Sequence, residues 1–123
     1  MRKTEIRVEP VESFFSRGRR VARLADRRER IPESRVIAFE EATDLLRLFT
    51  PKRVLLLREI REAPGSISDL ARRLKRDRSA VTRDVQLLER CGAVRVTGKP
   101  LPGHGRQKWI TPAGRRIELR ARL

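Results

Sequence analysis

The sequence contains few of the residues that build cross-linked, metal-binding or membrane-spanning proteins. It has one cysteine (Cys91), one histidine (His104) and no tyrosine among 123 residues. A single cysteine excludes an intramolecular disulfide framework and a cysteine-rich zinc site, and a single histidine excludes a histidine cluster. Apolar runs do not exceed four residues, as at 54–57, which is too short to span a membrane. Because residues 1–6 also lack the apolar core of a signal peptide, we expect a cytoplasmic protein without cofactors or metal ions.

Positive charge is abundant and lies mostly in the second half of the chain. The 31 Lys and Arg residues against 16 Asp and Glu give a formal net charge of +15. Residues 1–50 hold 12 basic and 9 acidic side chains, whereas residues 51–123 hold 19 basic and 7 acidic ones. This concentration favours binding to nucleic acid, where neutralised phosphates release counterions. The alternatives are an Arg-rich composition with solvated helix faces and, more weakly, an anionic membrane surface.

Residues 1–49 predict an N-terminal extension of strand and helix rather than a second core. Polar and apolar residues alternate at 3–8, a partial helical pattern containing Gly18 covers 11–30, residues 35–39 are extended, and 40–48 are helical. We expect this extension and the end of the chain to mediate dimerisation or bind a partner. Their apolar side chains exceed what a small domain buries; they are Phe14, Phe15, Leu24, Phe39 and Leu119.

Residues 50–123 predict three helices, because the signals that begin and end helices recur there. Thr50 and Pro51 are a hydroxyl N-cap and a first-turn proline, and the helix that they begin ends before residues 64–65. Ser68 is expected to cap a short second helix. Asp77 is expected to cap a third helix that ends at about Arg90, with Gly92 as its left-handed C-cap.

Two strands and a final helix are predicted after the third helix. Residues 93–97 and 106–110 have strand patterns around a turn rich in Gly and Pro, and residues 111–112 are expected to begin a basic helix. The order of three helices and a two-stranded ribbon predicts a mainly α, α+β fold: a winged helix-turn-helix DNA-binding domain with an N-terminal strand and helix extension.

The third helix has a face suited to the major groove. With Val81, Val85 and Leu88 turned inward, the outward side chains are of the types that bind phosphates and base edges. These candidate recognition residues are Arg78, Ser79, Thr82, Arg83 and Gln86. The alternative is an ordinary solvated amphipathic helix.

Further cations surround this helix. The candidate wing, defined as residues 98–106 with the adjoining strand ends, carries Lys99, Arg106 and Lys108, whose alternative is an incidentally charged hairpin loop. Ser68 and Arg76 are predicted to contact the DNA backbone. Trp109 and Cys91 are expected to be packing residues, and His104 to be a solvated loop residue.

Residues 50–114 resemble the DNA-binding core of MarR- and ArsR-like winged helix regulators. The resemblance lies in residues 68–74, 77–83 and 87–94, and in the Ile-Thr-Pro-Ala-Gly sequence at 110–114. It implies sequence-specific binding as a dimer, with Arg78, Ser79, Thr82 and Arg83 facing the groove. The long N-terminal helix of MarR proteins and the metal-binding pairs of ArsR-like sensors are missing. The whole chain also looks like small prokaryotic regulators, some of which serve as antitoxins.

These observations favour a DNA-binding transcription repressor that acts as a homodimer on a palindromic operator in double-stranded DNA. The alternatives are an antitoxin-type module that binds a toxin and represses its own operon, and a winged helix used on RNA or as an architectural protein. An enzyme is not expected, because the sequence has neither a nucleophile–base pair nor a phosphate-binding glycine loop.

Overall fold

A computed structural model describes residues 3–29, 34–114 and 116–120, and its contacts divide the chain into two compact units. The first unit contains the residues up to Arg47 and a strand that follows the second unit, and the second unit is the continuous stretch Leu48–Gly114. The described residues include no helix long and apolar enough to cross a membrane.

The first unit is built on a parallel sheet. Strand β1 (Lys3–Val8) lies between β2 (Ser34–Phe39) and a C-terminal strand, residues 116–120. Helix α1 (Val11–Asp26) connects β1 to β2, and α2 (Ala42–Leu48) follows β2. The strands and helices predicted for the extension are therefore confirmed, and the two strands belong to a sheet that also includes residues 116–120.

The second unit contains the predicted helices and ribbon. Helix α3 (Pro51–Glu62) is followed by the two-residue strand β3 (Gly65–Ser66), by α4 (Ile67–Leu74) and by α5 (Arg78–Cys91). Strands β4 (Val94–Pro100) and β5 (Arg106–Pro112) form an antiparallel ribbon, and β3 pairs with β5. This is the order of a winged helix, so the predicted fold class is confirmed.

The last predicted helix is wrong, because β5 continues through Pro112 and residues 116–120 form a strand, β6 (Arg116–Arg120). Arg, Ile, Glu, Leu and Arg alternate there with the two-residue period of a strand. The parallel register places Ile117 beside Thr4 and Leu119 beside Ile6, so the apolar side chains share one sheet face. The Thr-Pro signal that predicted a helix is instead the end of a strand.

Glu5 is buried on the opposite face of the same sheet. Arg7 Nη2 donates to Glu5 Oε2 at 2.9 Å, and Arg120 Nη1 on β6 donates to Oε1 at 3.1 Å. The hydrogen bond from Arg7, assisted by Arg120, outweighs the cost of burial and lowers the pKa of Glu5 from 4.5 to about 2. This ion pair connects the first strand of the unit to the last.

The core of the second unit follows the helical and strand periodicities. Ile60 of α3, Leu70 of α4, Val81 and Leu88 of α5, and Ile110 of β5 are fully buried in this core. Val85 and Val94 are also buried, so α5 packs with its predicted apolar face inward. The opposite face of α5 is thereby left outside this core.

The start of α4 differs from the prediction by two residues. The N-cap is Ser66 rather than Ser68, and its hydroxyl accepts a hydrogen bond from the Asp69 amide at 3.1 Å. Asp69 Oδ2 accepts from the Ser66 amide at 3.2 Å in return, which completes a capping box. This Asp three residues beyond the cap satisfies the backbone at Ser66, and Ser68 becomes part of the first turn.

Candidate nucleic-acid interface

Helix α5 exposes the side chains predicted to meet DNA. Arg78, Ser79, Arg83 and Gln86 are exposed and Thr82 is half-buried. Lys75, the C-cap of α4, and Gly92, the C-cap of α5, have left-handed conformations, at φ 53° and φ 86°. Lys75 begins the turn from α4, and Gly92 caps the helix as predicted.

Two of these side chains also make local hydrogen bonds. Thr82 Oγ1 donates to the Arg78 carbonyl at 2.8 Å, and the Ser79 hydroxyl donates to the Asp77 carboxylate. The bond from Ser79 lowers the pKa of Asp77. Asp77 is the N-cap residue of α5, as predicted, but its carboxylate is bound to the Ser79 hydroxyl rather than to a capping amide.

An open groove of about 350 Å³ brings predicted residues from three elements together. It is lined at the start of α4 by Ser68, along α5 by Arg78 and Thr82, and on β5 by Arg106 and Lys108. The structure thus joins five of the predicted site residues in one concave basic surface, which we call the α5 groove. Ser79, Arg83 and Gln86 lie on α5 at helical spacing, i, i+4 and i+7, outside the residues that line the groove.

The wing separates its three cations. Side chains alternate along a strand, so Arg106 and Lys108 share one face of the ribbon. Their cross-strand partners on β4 are Pro100 and Gly98. Arg106 Nη2 donates to the Gly98 carbonyl at 2.9 Å, and a Cβ at Gly98 would lie 2.7 Å from Arg106 Nε. Glycine therefore lets the Arg106 side chain lie across β4.

Lys99 belongs to the other face of the wing. Its Nζ lies 3.8 Å from the centroid of the half-buried Trp109 ring, a cation–π contact. Lys99 is thus directed away from the face that carries Arg106 and Lys108. Leu101 and His104 at the turn are exposed, and Cys91 is half-buried with its thiol donating to the Leu88 carbonyl at 3.3 Å.

Asp84 positions α5 and was not predicted from the sequence. It is 8% exposed on the inner side of α5, where Oδ1 accepts from Arg53 Nε at 3.0 Å and Oδ2 from Arg76 Nη2 at 2.7 Å. Burial would raise the pKa of Asp84, but the bonds from Arg76 and Arg53 outweigh it and lower the pKa. The signal in the sequence is an acidic residue at position 84, among the apolar residues 81, 85 and 88 that form the buried face of α5.

Arg76 accordingly has a structural partner. Only 18% of its side chain is exposed, and its guanidinium binds a buried carboxylate instead of extending toward the α5 groove. Among the described residues, no group of three His, Cys, Asp or Glu side chains is placed to hold a metal ion.

Comparison with solved structures supports the fold. A possible transcriptional regulator from Methanosarcina mazei Go1 is similar with a TM-score of 0.50 at 18% identity, over 60% of this chain and 66% of that one. The structure of disulfide-formed AbfR matches with a TM-score of 0.44 at 19% identity, over 83% of this chain and 59% of that one. The second likeness is too weak to support an argument. The chain thus covers less than two thirds of either protein, and none of the curated proteins matches it.

A family model gives the assignment that these structural likenesses do not. The model of the family HVO_A0114 matches residues 48–117, more than half of the chain. The match begins at the first residue of the second unit and includes α3, α4, α5 and the wing. The chain belongs to the HVO_A0114 family.

Proposed function

We propose that this protein is a sequence-specific DNA-binding transcriptional regulator that acts in the cytoplasm without catalysing a reaction. The observation that carries the proposal is the α5 groove, in which Ser68, Arg78, Thr82, Arg106 and Lys108 converge from a helix-turn-helix and its wing. The groove is concave, and its three cations suit phosphate oxygens. The protein of similar fold from Methanosarcina mazei Go1 is itself described as a possible transcriptional regulator.

In this proposal the two parts of the surface have different tasks. Arg78, Arg106 and Lys108 bind the backbone on either side of a major groove, and Ser68 adds a hydroxyl contact at the start of α4. Ser79, Arg83 and Gln86 reach base edges, where Arg reads guanine and Gln reads adenine. Lys99 is held over Trp109 and Arg76 is bound to Asp84, so we leave both out of the first set of contacts.

The finer proposal is a homodimeric repressor. Two α5 helices related by a two-fold axis would enter successive major grooves of a palindromic operator, with half-sites about one helical turn (~34 Å) apart. Bound protein would then block the promoter. The alternative, an antitoxin-type module with a toxin partner, is favoured by one feature only: the exposed apolar residues of α1.

Binding to the DNA upstream of its own gene tests the proposal. We expect the full chain to prefer that duplex over a scrambled duplex of equal composition by several hundredfold, and to keep this preference at ~0.2 M salt. Arg83→Ala should reduce the preference at least tenfold, whereas Arg90→Ala removes the same charge from the other end of α5 and should preserve it. Fluorescence anisotropy over a salt series measures both. Equal binding to the two duplexes, falling steeply with salt, would refute a sequence-specific regulator.

A further inference from the structure

Helix α1 presents an apolar face that the described chain does not cover. Val11, Phe14, Phe15 and Val21 are 40–56% exposed, and no residue of this 16-residue helix is buried. At about 100° per residue, seven apolar or small residues of the helix fall within an arc of about 120°, and the half-buried Leu24 lies outside it. They are Val11, Phe14, Phe15, Gly18, Val21, Ala22 and Ala25. Such a concentrated apolar surface on a soluble chain indicates an interaction site.

Gly18 lies in the middle of this arc and near the middle of the helix. Glycine inside a helix costs about 1 kcal/mol relative to alanine. A Cβ added at Gly18 would meet no atom within 4 Å, so packing within the chain does not require glycine there. Close approach of another backbone would require it, because the distance between two packed helices depends on the side chains at their contact.

We propose that α1 packs antiparallel against α1 of a second copy of this chain, with the two-fold axis at Gly18. That axis places each residue opposite the one equally distant on the other side of position 18. Large residues then meet small ones, with Phe14 opposite Ala22 and Val11 opposite Ala25. Phe15 meets Val21, and the two glycines face each other at the point of closest approach. One sequence therefore supplies both halves of a self-complementary contact.

The charges of α1 are compatible with this occupant because they lie away from the centre of the contact. Arg20 and Arg23 project from the opposite side of the helix, and Arg17 binds Glu9 with Nη1 at 2.5 Å from Oε2. The arc itself contains only apolar residues, alanine and glycine. A second copy can cover it without burying an unpaired charge.

The exposed phenylalanine rings of α1 supply part of the area that a small dimer interface buries. Phe14 and Phe15 are 44% and 56% exposed, which at ~200 Å² per ring leaves about 200 Å² of apolar surface in each copy. Two copies supply twice that area from the rings alone. The valines, the alanines and the flanking arginine stems extend it toward the ~1,000 Å² of a specific interface.

This inference rests on the homodimer of the proposed function. Its test contains no DNA, so failure of the α1 contact can be distinguished from failure of sequence-specific DNA binding. Sedimentation equilibrium of the full chain should give a dimer. Gly18→Leu should raise the dimer dissociation constant at least tenfold while the helical circular dichroism stays equal or increases, because leucine favours the helix. Ser16→Leu places the same side chain on the opposite, exposed face and should leave the dissociation constant unchanged.

A cross-link gives an independent readout that does not depend on added bulk. In a Cys91→Ser background, Gly18→Cys places a thiol on the two-fold axis and should form a disulfide-linked dimer under mild oxidation. Ser16→Cys, on the far side of α1, should stay monomeric on a non-reducing gel. A monomeric wild type, or a dimer whose dissociation constant does not change in Gly18→Leu, would overturn the proposal. The apolar face of α1 would then be a binding surface for an acidic protein or an anionic lipid surface. If the dimer passes both tests but the protein binds DNA without sequence preference, only the proposed function as a sequence-specific regulator is overturned.

Discussion

Asp84 connects α5 to two other parts of the second unit through one carboxylate. Arg53 comes from α3 and Arg76 from the turn before α5, and both bind the same side chain. Among the residues that the structure describes, no hydrogen-bond partner reaches the buried Arg76 Nη1, and Asp84 accepts the hydrogen bond that this guanidinium donates through Nη2. The carboxylate lies on the side of α5 away from the proposed DNA face, where it fixes the helix against α3.

Asp84→Asn should destabilise the second unit strongly. The variant removes the anion that Arg53 and Arg76 both bind, and removing one partner of a largely buried ion pair costs about 3–5 kcal/mol. Trp109 is the single tryptophan and lies in the second unit, so urea unfolding followed by its fluorescence measures this loss. Glu89→Gln changes an exposed carboxylate of the same helix and should change stability by less than about 0.5 kcal/mol. Equal effects of the two variants would contradict a structural role for Asp84.

At the scale of the element, two serines two residues apart have separable roles at the start of α4. Ser66→Ala removes the N-cap hydroxyl and should cost about 1 kcal/mol, with unfolding followed by Trp109 fluorescence. Ser68→Ala should change stability by less than about 0.5 kcal/mol but weaken DNA binding, because Ser68 lines the α5 groove without being the cap. A larger stability loss in Ser68→Ala than in Ser66→Ala would reverse these roles.

The elements that the sequence predicted are those with strong local signals. Thr50 and Pro51 begin α3, Gly92 ends α5, and the inward triad at 81, 85 and 88 orients α5. Strand β6 was missed because five alternating residues are a weak pattern until their partner strand, far away in sequence, is known. The register of β6 with β1 supplies the missing information, which no pattern within residues 116–120 contains.

The same limit applies to the candidate site. The exposed face of α5 follows from helical periodicity, so its residues could be predicted by their spacing. Lys99 and Arg76 differ, because a cross-strand aromatic ring and a buried carboxylate determine where their charges lie. Such partners belong to tertiary structure, and a list of cations in sequence does not identify them.

At the scale of the whole molecule, Glu5 should make the first unit sensitive to acid. A pKa of about 2 in the folded chain against 4.5 means that its stabilisation is complete above about pH 5 and is lost as the pH falls toward 2. Glu5→Gln should lower stability at pH 7 by about 1–3 kcal/mol. Its melting temperature should converge with that of the wild type near pH 2.

Thermal melts followed by circular dichroism from pH 7 to pH 2 test this convergence. Glu29→Gln changes an exposed carboxylate of the same unit and should follow the wild type at every pH. A difference between Glu5→Gln and the wild type that is constant over the whole range would show that the ion pair with Arg7 and Arg120 does not stabilise the folded chain.

The parallel sheet order β2-β1-β6 also imposes a sequence of events on the ribosome. The second unit is continuous and is fully synthesised before β6, so the winged helix can fold while the first unit still lacks one edge strand. At 5–20 residues per second, the roughly 80 residues between the end of β2 and the end of β6 take about 4–16 s to synthesise, and β1 and β2 lack β6 during that time. During that interval one edge of β1 is open to other nascent chains. The part proposed to bind DNA is thus finished first, and the sheet of the unit that carries α1 closes last.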